Sequence, residues 1–474
     1  MDTIAASQTT DADGLKAGGL YRMLWRWHFY AGIVCIPFII TLALTGSIYL
    51  FKPQIDAFTT RSLTSLEMTG ERASAEAIAA AATESMPGSV LSLYTLPQSA
   101  NDAVAVVITS GATKYDVWVH PETLEVMKTV PSDGRFLEIV KTIHGELLLG
   151  NFGSFFVEFA ASWAIVMVLS GLYLWWPRKA RGLAGVLYPR LNQGRGRMWR
   201  DLHAVTGVWV SFFALFLLVS GMPWAMVWGG ALKEIRSVGM HDSPSQDWTQ
   251  SRADEHAEHM KTLEPVPAAD PIAGMDHSAH AGMDHSSHAG SMAAPAGASL
   301  DLIEANVRAL NLAPPVLIVP PNGRSPNWTV RAEHGNRMLR VNAVLDPASG
   351  DVLSTSDFNG KPLIDKMIGV GIAAHEGQLF GWINQLIGVL TASGLVLLAV
   401  SAFVMWRRRA PEGALGAPPP IPNERVGWGI AVIIGVCGVL LPVLGISLIA
   451  IALIEFAALR HLPGARRWLG LVPA

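Results

Sequence analysis

Four histidines stand at the ends of apolar runs, and they fall into two pairs with matching spacing. His28 is followed by Gly32 and then Thr45-Gly46, and His203 by Gly207 and then Ser220-Gly221, so both read His-x3-Gly-x12-[Ser/Thr]-Gly. His144 precedes Gly150 by six residues and Trp175 by thirty-one; His375 precedes Gly381 and Trp406 by the same intervals. An ionisable ring in a membrane helix normally has a use there. One histidine at a helix end is ordinarily an interfacial side chain, but four that repeat in spacing point to ligands. Two imidazoles from neighbouring helices are what a six-coordinate haem iron needs. The spacing therefore predicts a haem-bearing, electron-carrying membrane protein.

The elements that must position these rings are membrane helices. The chain of 474 residues is 50% hydrophobic and 15% charged, less charge than a soluble domain carries. Apolar runs near 27–51, 152–176, 204–228 and 382–406 reach the roughly 20 residues a bilayer span requires. A fifth, 427–459, is broken at Pro442 and predicts a helical hairpin. The first run is too long for a signal-peptide core and is expected to be retained. Lys and Arg set the orientation. Arg178, Lys179, Arg181, Arg190, Arg195, Arg197 and Arg200 crowd one loop, Arg407 to Arg409 follow the fourth run, and Arg460, Arg466 and Arg467 follow the last. Placing all of these, with Arg22 and Arg26, in the cytoplasm puts both termini inside and requires six spans. The long segments then lie outside the cytoplasm, in the periplasm of a bacterial inner membrane.

The spacings imply a duplicated unit of helix, outer domain, helix. Each outer segment opens on a helical stretch behind a candidate Ser N-cap, Ser74 or Ser299. Each continues in β-rich runs, such as Val104–Thr109 and Tyr115–Val119 in one, Trp328–Arg331 and Leu339–Leu345 in the other. Each carries a proline turn, Val119-His-Pro-Glu-Thr or Leu345-Asp-Pro-Ala-Ser-Gly. Two units that both start inside are parallel repeats. The organisation read from these signals is a cytoplasmic tail 1–26, span 27–52, outer domain 53–143, span 144–176, basic loop 177–200, span 201–229, outer domain 230–374, span 375–406, loop 407–426, hairpin 427–459 and tail 460–474. The fold class is an α-helical membrane bundle of about six spans with two small α+β extracytoplasmic domains.

Depth sorts the rings. His28 and His203 open outward-going helices near the inner face, while His144 and His375 open inward-going helices near the outer face. The expected cofactors are two haem b groups, one held by His28 and His203 and the other by His144 and His375. Gly32 and Gly207, one turn along, leave room for a flat macrocycle or for close helix packing. Trp25, Trp27 and Trp199 flank the inner site and Phe152, Phe380 and Trp382 the outer one, though boundary aromatics also form the ordinary aromatic belt. Arg22 and Arg197, six residues before their histidines, could meet propionates. Glu146 and Glu376 beside the outer histidines suit a helix-start cap.

The chain resembles the PepSY-associated transmembrane family, which includes iron-regulated membrane proteins and siderophore reductases. The resemblance rests on the Trp-Arg-Trp-His28 start, Ile-His144-Gly-Glu, Leu-His203, Asp346-Pro-Ala-Ser-Gly and His375-Glu-Gly, and runs nearly the whole length. It implies PepSY-like outer domains and a b-type haem protein that passes electrons outward to ferric complexes, with ligation carried over to the four histidines alone.

A tandem octapeptide departs from that pattern: Gly-Met-Asp-His-Ser-Ala-His-Ala at 274–281, then Gly-Met-Asp-His-Ser-Ser-His-Ala at 282–289. It lies in a stretch, 240–297, too poor in large apolar residues to bury a core. Thioether and imidazole together suit copper, so Met275, His277, His280, Met283, His285 and His288 are candidate copper ligands. The repeat is similar to Met-Asp-His-Ser segments of bacterial copper-resistance proteins. Cys35 and Cys437, both in apolar runs, form neither a disulfide framework nor a CxxC motif. A net charge of −3 offers no surface for nucleic acid.

The function expected is transmembrane reduction of an extracytoplasmic metal, chelated Fe(III) or Cu(II), by an oxidoreductase. No Gly-x-Gly-x-x-Gly follows a strand, so the donor must be quinol, a loosely bound flavin or a separate reductase. The alternative is a non-enzymatic, membrane-anchored protein that binds copper or iron. A metal permease is disfavoured because no run carries an acid or Lys at its centre.

Overall fold

The structure, a computed structural model, describes residues 2–178, 182–239, 297–322, 325–418 and 427–471. The chain forms two compact units. One gathers Met1–Lys52, Ile139–Ala253 and Gly371–Ala474; the other gathers Pro53–Glu138 and Asp254–Val370.

The first unit is helical. Its helices are α1 (Asp2–Leu50), α5 (Gly150–Trp175), α6 (Arg195–Gly221), α7 (Met226–Gly239), α10 (Trp382–Arg409), α11 (Trp428–Leu440), α12 (Pro442–Ala457) and the short α13 (Pro463–Leu469). Among the described residues, five helices are long and apolar enough to cross a membrane: Gly19–Leu50, Gly150–Trp175, Arg195–Trp224, Trp382–Arg409 and Pro442–His461. The expected hairpin is present as α11 and α12, parted at Pro442, where a proline can open a helix but not continue one. Gly438 and Gly445 let its arms touch: a Cβ on Gly445 would lie 2.5 Å from the Gly438 carbonyl oxygen. The other four long helices form a ring. α1 packs on α5 and α10, and α6 packs on the same two, so α1 and α6 face each other across its middle.

Helices α4 (Phe136–Glu146) and α9 (Leu363–His375) lead into this bundle and correct the expected boundaries. The expected spans 144–176 and 375–406 begin with their histidines. In the structure His144 and His375 instead close α4 and α9, and the spanning helices start at Gly150 and Trp382. The break has a backbone cause. Leu147 and Leu148 take positive φ of 51° and 60°, Gly150 has 57° and Gly381 has 60°, a left-handed state that a right-handed helix cannot pass through. Glu146 and Glu376 consequently lie at helix ends and cannot cap a helix start. An acid does occur within a span, eight residues into α5: Glu158 is buried, and its carboxylate accepts the backbone N–H groups of Val227 (2.7 Å) and Trp228 (3.0 Å) at the start of α7. It is a cap for that helix.

The second unit is α+β. Its helices α2 (Lys52–Thr59), α3 (Ala75–Glu84) and α8 (Leu300–Ala309) accompany strands β1 (Val90–Leu96), β2 (Val104–Ser110), β3 (Thr113–Val119), β4 (Val126–Pro131), β5 (Val316–Val319), β6 (Trp328–Ala332), β7 (Val341–Leu345) and β8 (Val352–Asp357). Ser74 and Ser299 cap α3 and α8 as expected, accepting from the N–H of Ala77 (3.1 Å) and Leu302 (3.3 Å). The proline turns join β3 to β4 and β7 to β8. Asp346 accepts from Ala348 N and Ser349 N, both at 2.8 Å, and His120 Nδ1 does the same for Glu122 N and Thr123 N at 3.2 Å.

The two segments do not make separate sheets. Among the described residues they share one antiparallel sheet, ordered β4-β3-β2-β1-β5-β6-β7-β8 and joined by Tyr94↔Ile318, Thr95↔Leu317 and Leu96↔Val316. The expectation of two small domains gives way to one unit, because β1 and β5 each cover the other's open edge. α3 and α8 bury Ile78 and Ile303 in a core with Val106, Ile108, Ile318 and Val330. Each such side chain contributes about 1.5–3 kcal/mol. Glu304 spans the joint: it accepts from Arg72 (2.8 Å), Tyr94 (2.8 Å) and Arg308 (2.6 Å).

Candidate functional site

His28 on α1 and His203 on α6 meet in the middle of the helical ring. Their ring centroids are 6.4 Å apart and their planes stand at 85°. Both helices pack on α5 and on α10. The separation is too wide for a direct imidazole–imidazole hydrogen bond and close to what two imidazoles on one metal demand. Metal–nitrogen bonds of about 2.0 Å on opposite sides of one ion place the centroids about 6.3 Å apart.

Each of the four rings is held through Nδ1 by a hydroxyl. His28 Nδ1 lies 3.0 Å from Ser170 Oγ on α5, and His203 Nδ1 lies 3.2 Å from Ser401 Oγ and 3.1 Å from the Leu398 carbonyl on α10. His144 Nδ1 lies 3.0 Å from Thr45 Oγ1 on α1, and His375 Nδ1 lies 2.9 Å from Ser220 Oγ on α6. The direction of these bonds follows from where the hydroxyl protons go. Thr45 Oγ1 donates to the Thr41 carbonyl (2.7 Å), Ser170 to Met167 (3.2 Å), Ser220 to Phe216 (2.7 Å) and Ser401 to Leu398 (3.0 Å). Back-bonding of this kind is common for Ser and Thr inside helices. With its single proton committed, each hydroxyl offers the imidazole only a lone pair. In that arrangement Nδ1 carries the hydrogen, and Nε2 is left with the lone pair that binds a metal. No protein hydrogen bond engages Nε2 of His28, His203 or His375 among the described residues.

Glycines let the rings lie flat against the holding helix. A Cβ on Gly46 would stand 3.1 Å from His144 Cε1, one on Gly171 3.2 Å from His28 Cε1, and one on Gly221 3.4 Å from His375 Cε1. Thr45-Gly46 thus holds His144, and Ser220-Gly221 holds His375. Ser170-Gly171, outside the spacing motif of the four histidines, does the same for His28. Ser401 is followed by Ala402 instead. The signal for both inner hydroxyls was a shared interval: each lies twenty-six residues beyond His144 or His375.

The remaining expected neighbours divide. A Cβ on Gly32 would meet nothing within 4 Å, which leaves room beside His28, whereas one on Gly207 would lie 3.5 Å from Leu398 Cδ2. Arg22 is exposed, and Arg197 is turned to Gln193 Oε1 at 2.7 Å, so neither meets a ring. Phe152, Phe380 and Trp382 are exposed and suit the aromatic belt. The aromatic that touches an outer histidine is Trp224, 6.3 Å from the His375 ring at 81°. Arg26, two residues before His28, is buried against the carbonyls of Pro418 and Gly470. Asp201, two before His203, is fully buried and takes a two-pronged bond from Arg190 at 2.6 and 3.0 Å. Met275, His277, His280, Met283, His285 and His288 lie outside the described residues.

The His28–His203 donor set fits a haem iron. The site offers two imidazoles, their planes at 85°, each with its Nδ1 hydrogen-bonded, and no group of three or more His, Cys, Asp or Glu side chains gathers among the described residues to make a tetrahedral centre. Comparison with known proteins bears on the chain as a whole. No protein of curated function matches it. The PepSY-associated TM region matches residues 25–409, a stretch that holds all four histidines and their hydroxyl partners. The protein is a membrane protein and belongs to the PepSY-associated transmembrane family.

Proposed function

We propose that the protein is a di-haem b transmembrane electron carrier that reduces an extracytoplasmic metal, chelated Fe(III) or Cu(II), with electrons from quinol, flavin or a reductase on the cytoplasmic side. The observation that carries this reading is the His28–His203 pair, 6.4 Å apart with both Nδ1 atoms anchored. Haem bound between such rings supplies one-electron chemistry at iron, tuned by its axial ligands and its burial. The chain's part is to fix the rings, keep them in the metal-binding tautomer and exclude water from the apolar bundle.

We infer a second pair in His144 and His375, which lie on α4 and α9 and are seated against α1 and α6. Thr45, which holds His144, is seventeen residues from His28 along α1, and Ser220, which holds His375, is seventeen from His203 along α6. At 1.5 Å per residue both intervals are about 26 Å, close to the roughly 30 Å hydrocarbon core. We read the recurrence of these intervals as a duplicated unit of parallel orientation, with six spans, both termini cytoplasmic and the sheet unit on the periplasmic side of a bacterial inner membrane. The basic residues between α5 and α6 support that orientation. The Met-Asp-His-Ser repeat supports copper as a substrate or as a store beside it.

Absorbance tests the reading. Purified full-length protein should show a Soret band and two haems per chain. His28→Ala or His203→Ala should remove one, and His144→Ala or His375→Ala the other. Reduced protein should reoxidise faster when ferric chelate or Cu(II) is added. A colourless protein, or bands unchanged in all four variants, defeats the haem assignment. Haem without faster reoxidation leaves the anchored metal-binding protein as the better account.

A further inference from the structure

We propose that Thr45, Ser170, Ser220 and Ser401 are positioning residues that set how tightly the histidine ligands hold oxidised iron. The inference rests on the haem reading above and assigns a role to four side chains outside the ligand set. All four rings meet a hydroxyl through Nδ1 on a helix other than their own, at 2.9–3.2 Å, and His203 Nδ1 also meets the Leu398 carbonyl at 3.1 Å, so Ser401 shares that ring with a backbone acceptor. All four hydroxyls spend their proton on a carbonyl of their own helix. A hydroxyl serving only as a helix contact has no reason to meet the same ring atom four times. An acceptor on Nδ1–H makes the imidazole a stronger electron donor at Nε2 and stops the ring turning about its Cβ–Cγ bond. A stronger donor favours ferric over ferrous iron.

The four divide by site. Ser170 and Ser401 act on the inner pair, and Thr45 and Ser220 on the outer pair. The equivalence of Thr45 and Ser220 shows that the hydroxyl, not the methyl group, is the common element. The three glycines that follow Thr45, Ser170 and Ser220 complete the seat, since side chains there would press on Cε1.

The test is a redox titration of the full-length protein in lipid nanodiscs. It compares wild type with Ser170→Ala, Ser401→Ala, Thr45→Val and Ser220→Ala, and with Thr45→Ser and Ser220→Thr, which keep the hydroxyl. Haem content and the ferric low-spin EPR spectrum are recorded for each. Outer-shell partners of this kind alter metal binding by about 10- to 100-fold. The lower figure, taken as the change in the ferric-to-ferrous equilibrium, raises one midpoint potential by about 59 mV. Ser170→Ala and Ser401→Ala should move the same haem, and Thr45→Val and Ser220→Ala the other. Thr45→Ser and Ser220→Thr should stay at the wild-type potentials and keep both haems. Wild-type potentials and EPR spectra in all four hydroxyl-free variants overturn the proposal. So does a shift, or a loss of haem, in Thr45→Ser equal to that in Thr45→Val, which would assign the effect to packing. A wild-type protein without a Soret band would defeat the haem reading itself, before any variant is made.

Discussion

Replacing Glu304 by alanine should unfasten the two halves of the eight-stranded sheet. Glu304 is 5% exposed and accepts hydrogen bonds from Arg72, Tyr94 and Arg308, so one carboxylate ties residues of the first segment to the second. Its loss leaves the fully buried Tyr94 hydroxyl without an acceptor for its proton, and leaves the Arg72 guanidinium, whose side chain is 20% exposed, with the Tyr94 oxygen at 2.6 Å as its partner in place of a carboxylate. Breaking a buried ion pair on one side costs about 3–5 kcal/mol. Arg72 keeps some contact with water and the Arg308 side chain is 44% exposed, so the low end, about 3 kcal/mol, applies. At about 1.36 kcal/mol per factor of ten, the opening equilibrium across β1 and β5 should rise by roughly 150-fold. Amide hydrogen exchange of the full-length protein reads this at the Tyr94, Leu96, Val316 and Ile318 amides, and β2–β3 amides serve as the internal control. The charge also gives a pH signature. Burial opposes ionisation of Glu304, but the hydrogen bonds from Arg72, Arg308 and Tyr94 outweigh it and hold the carboxyl below the usual glutamate range. A depressed value stabilises the fold above the unfolded glutamate value of about 4.3, and that stability is lost as pH falls through the folded value. Wild-type protection at the joint should therefore drop on acidification below pH 4, and Glu304→Gln should blunt the drop. Protection within threefold of wild type in Glu304→Ala would refute the reasoning.

Further perturbations address the bundle and the insert. Gly171→Leu should displace the His28 ring, whose Cε1 a bare Cβ would already approach to 3.2 Å, and cost half the haem absorbance. Gly445→Val should part the α11–α12 hairpin, because its Cβ would meet the Gly438 carbonyl oxygen at 2.5 Å; a lower melting temperature in detergent checks this. Glu158→Ala leaves two N–H groups of α7 without their carboxylate and should cost about 1–3 kcal/mol, read as faster exchange at Val227 and Trp228. Deleting 254–293 should abolish copper binding in equilibrium dialysis while leaving the Soret band intact.

The parts legible in the sequence are those with a local cause. The serine caps, the proline turns and the break at Pro442 follow from side chains acting within a few residues. The four histidines were legible because the same intervals recur. Three features were hidden for physical reasons. The elbows after His144 and His375 lie in the short stretches before the apolar runs that start near 152 and 382, and residue type there does not register a change of φ at Gly150 and Gly381. The joint between β1 and β5 depends on which edges stay open, and strand patterning does not reveal that. Ser170 and Ser401 are small residues in apolar helices, indistinguishable by type from packing contacts; only their common distance from the outer histidines marks them.

Helix α1 carries His28 and, seventeen residues on, the seat for His144, and α6 repeats the arrangement with His203 and the seat for His375. Each helix therefore acts as a gauge in angle as well as in length. A residue inserted between His28 and Thr45 would turn the two ends by about 100° relative to each other, and no sliding of the helix could then satisfy both rings. Point substitutions in the middle of α1 and α6 are open to change, but the count of residues between the marked positions is not. A lengthened α1 could regain one site only by surrendering the other, so insertions there should split the two sites and leave each one singly intact.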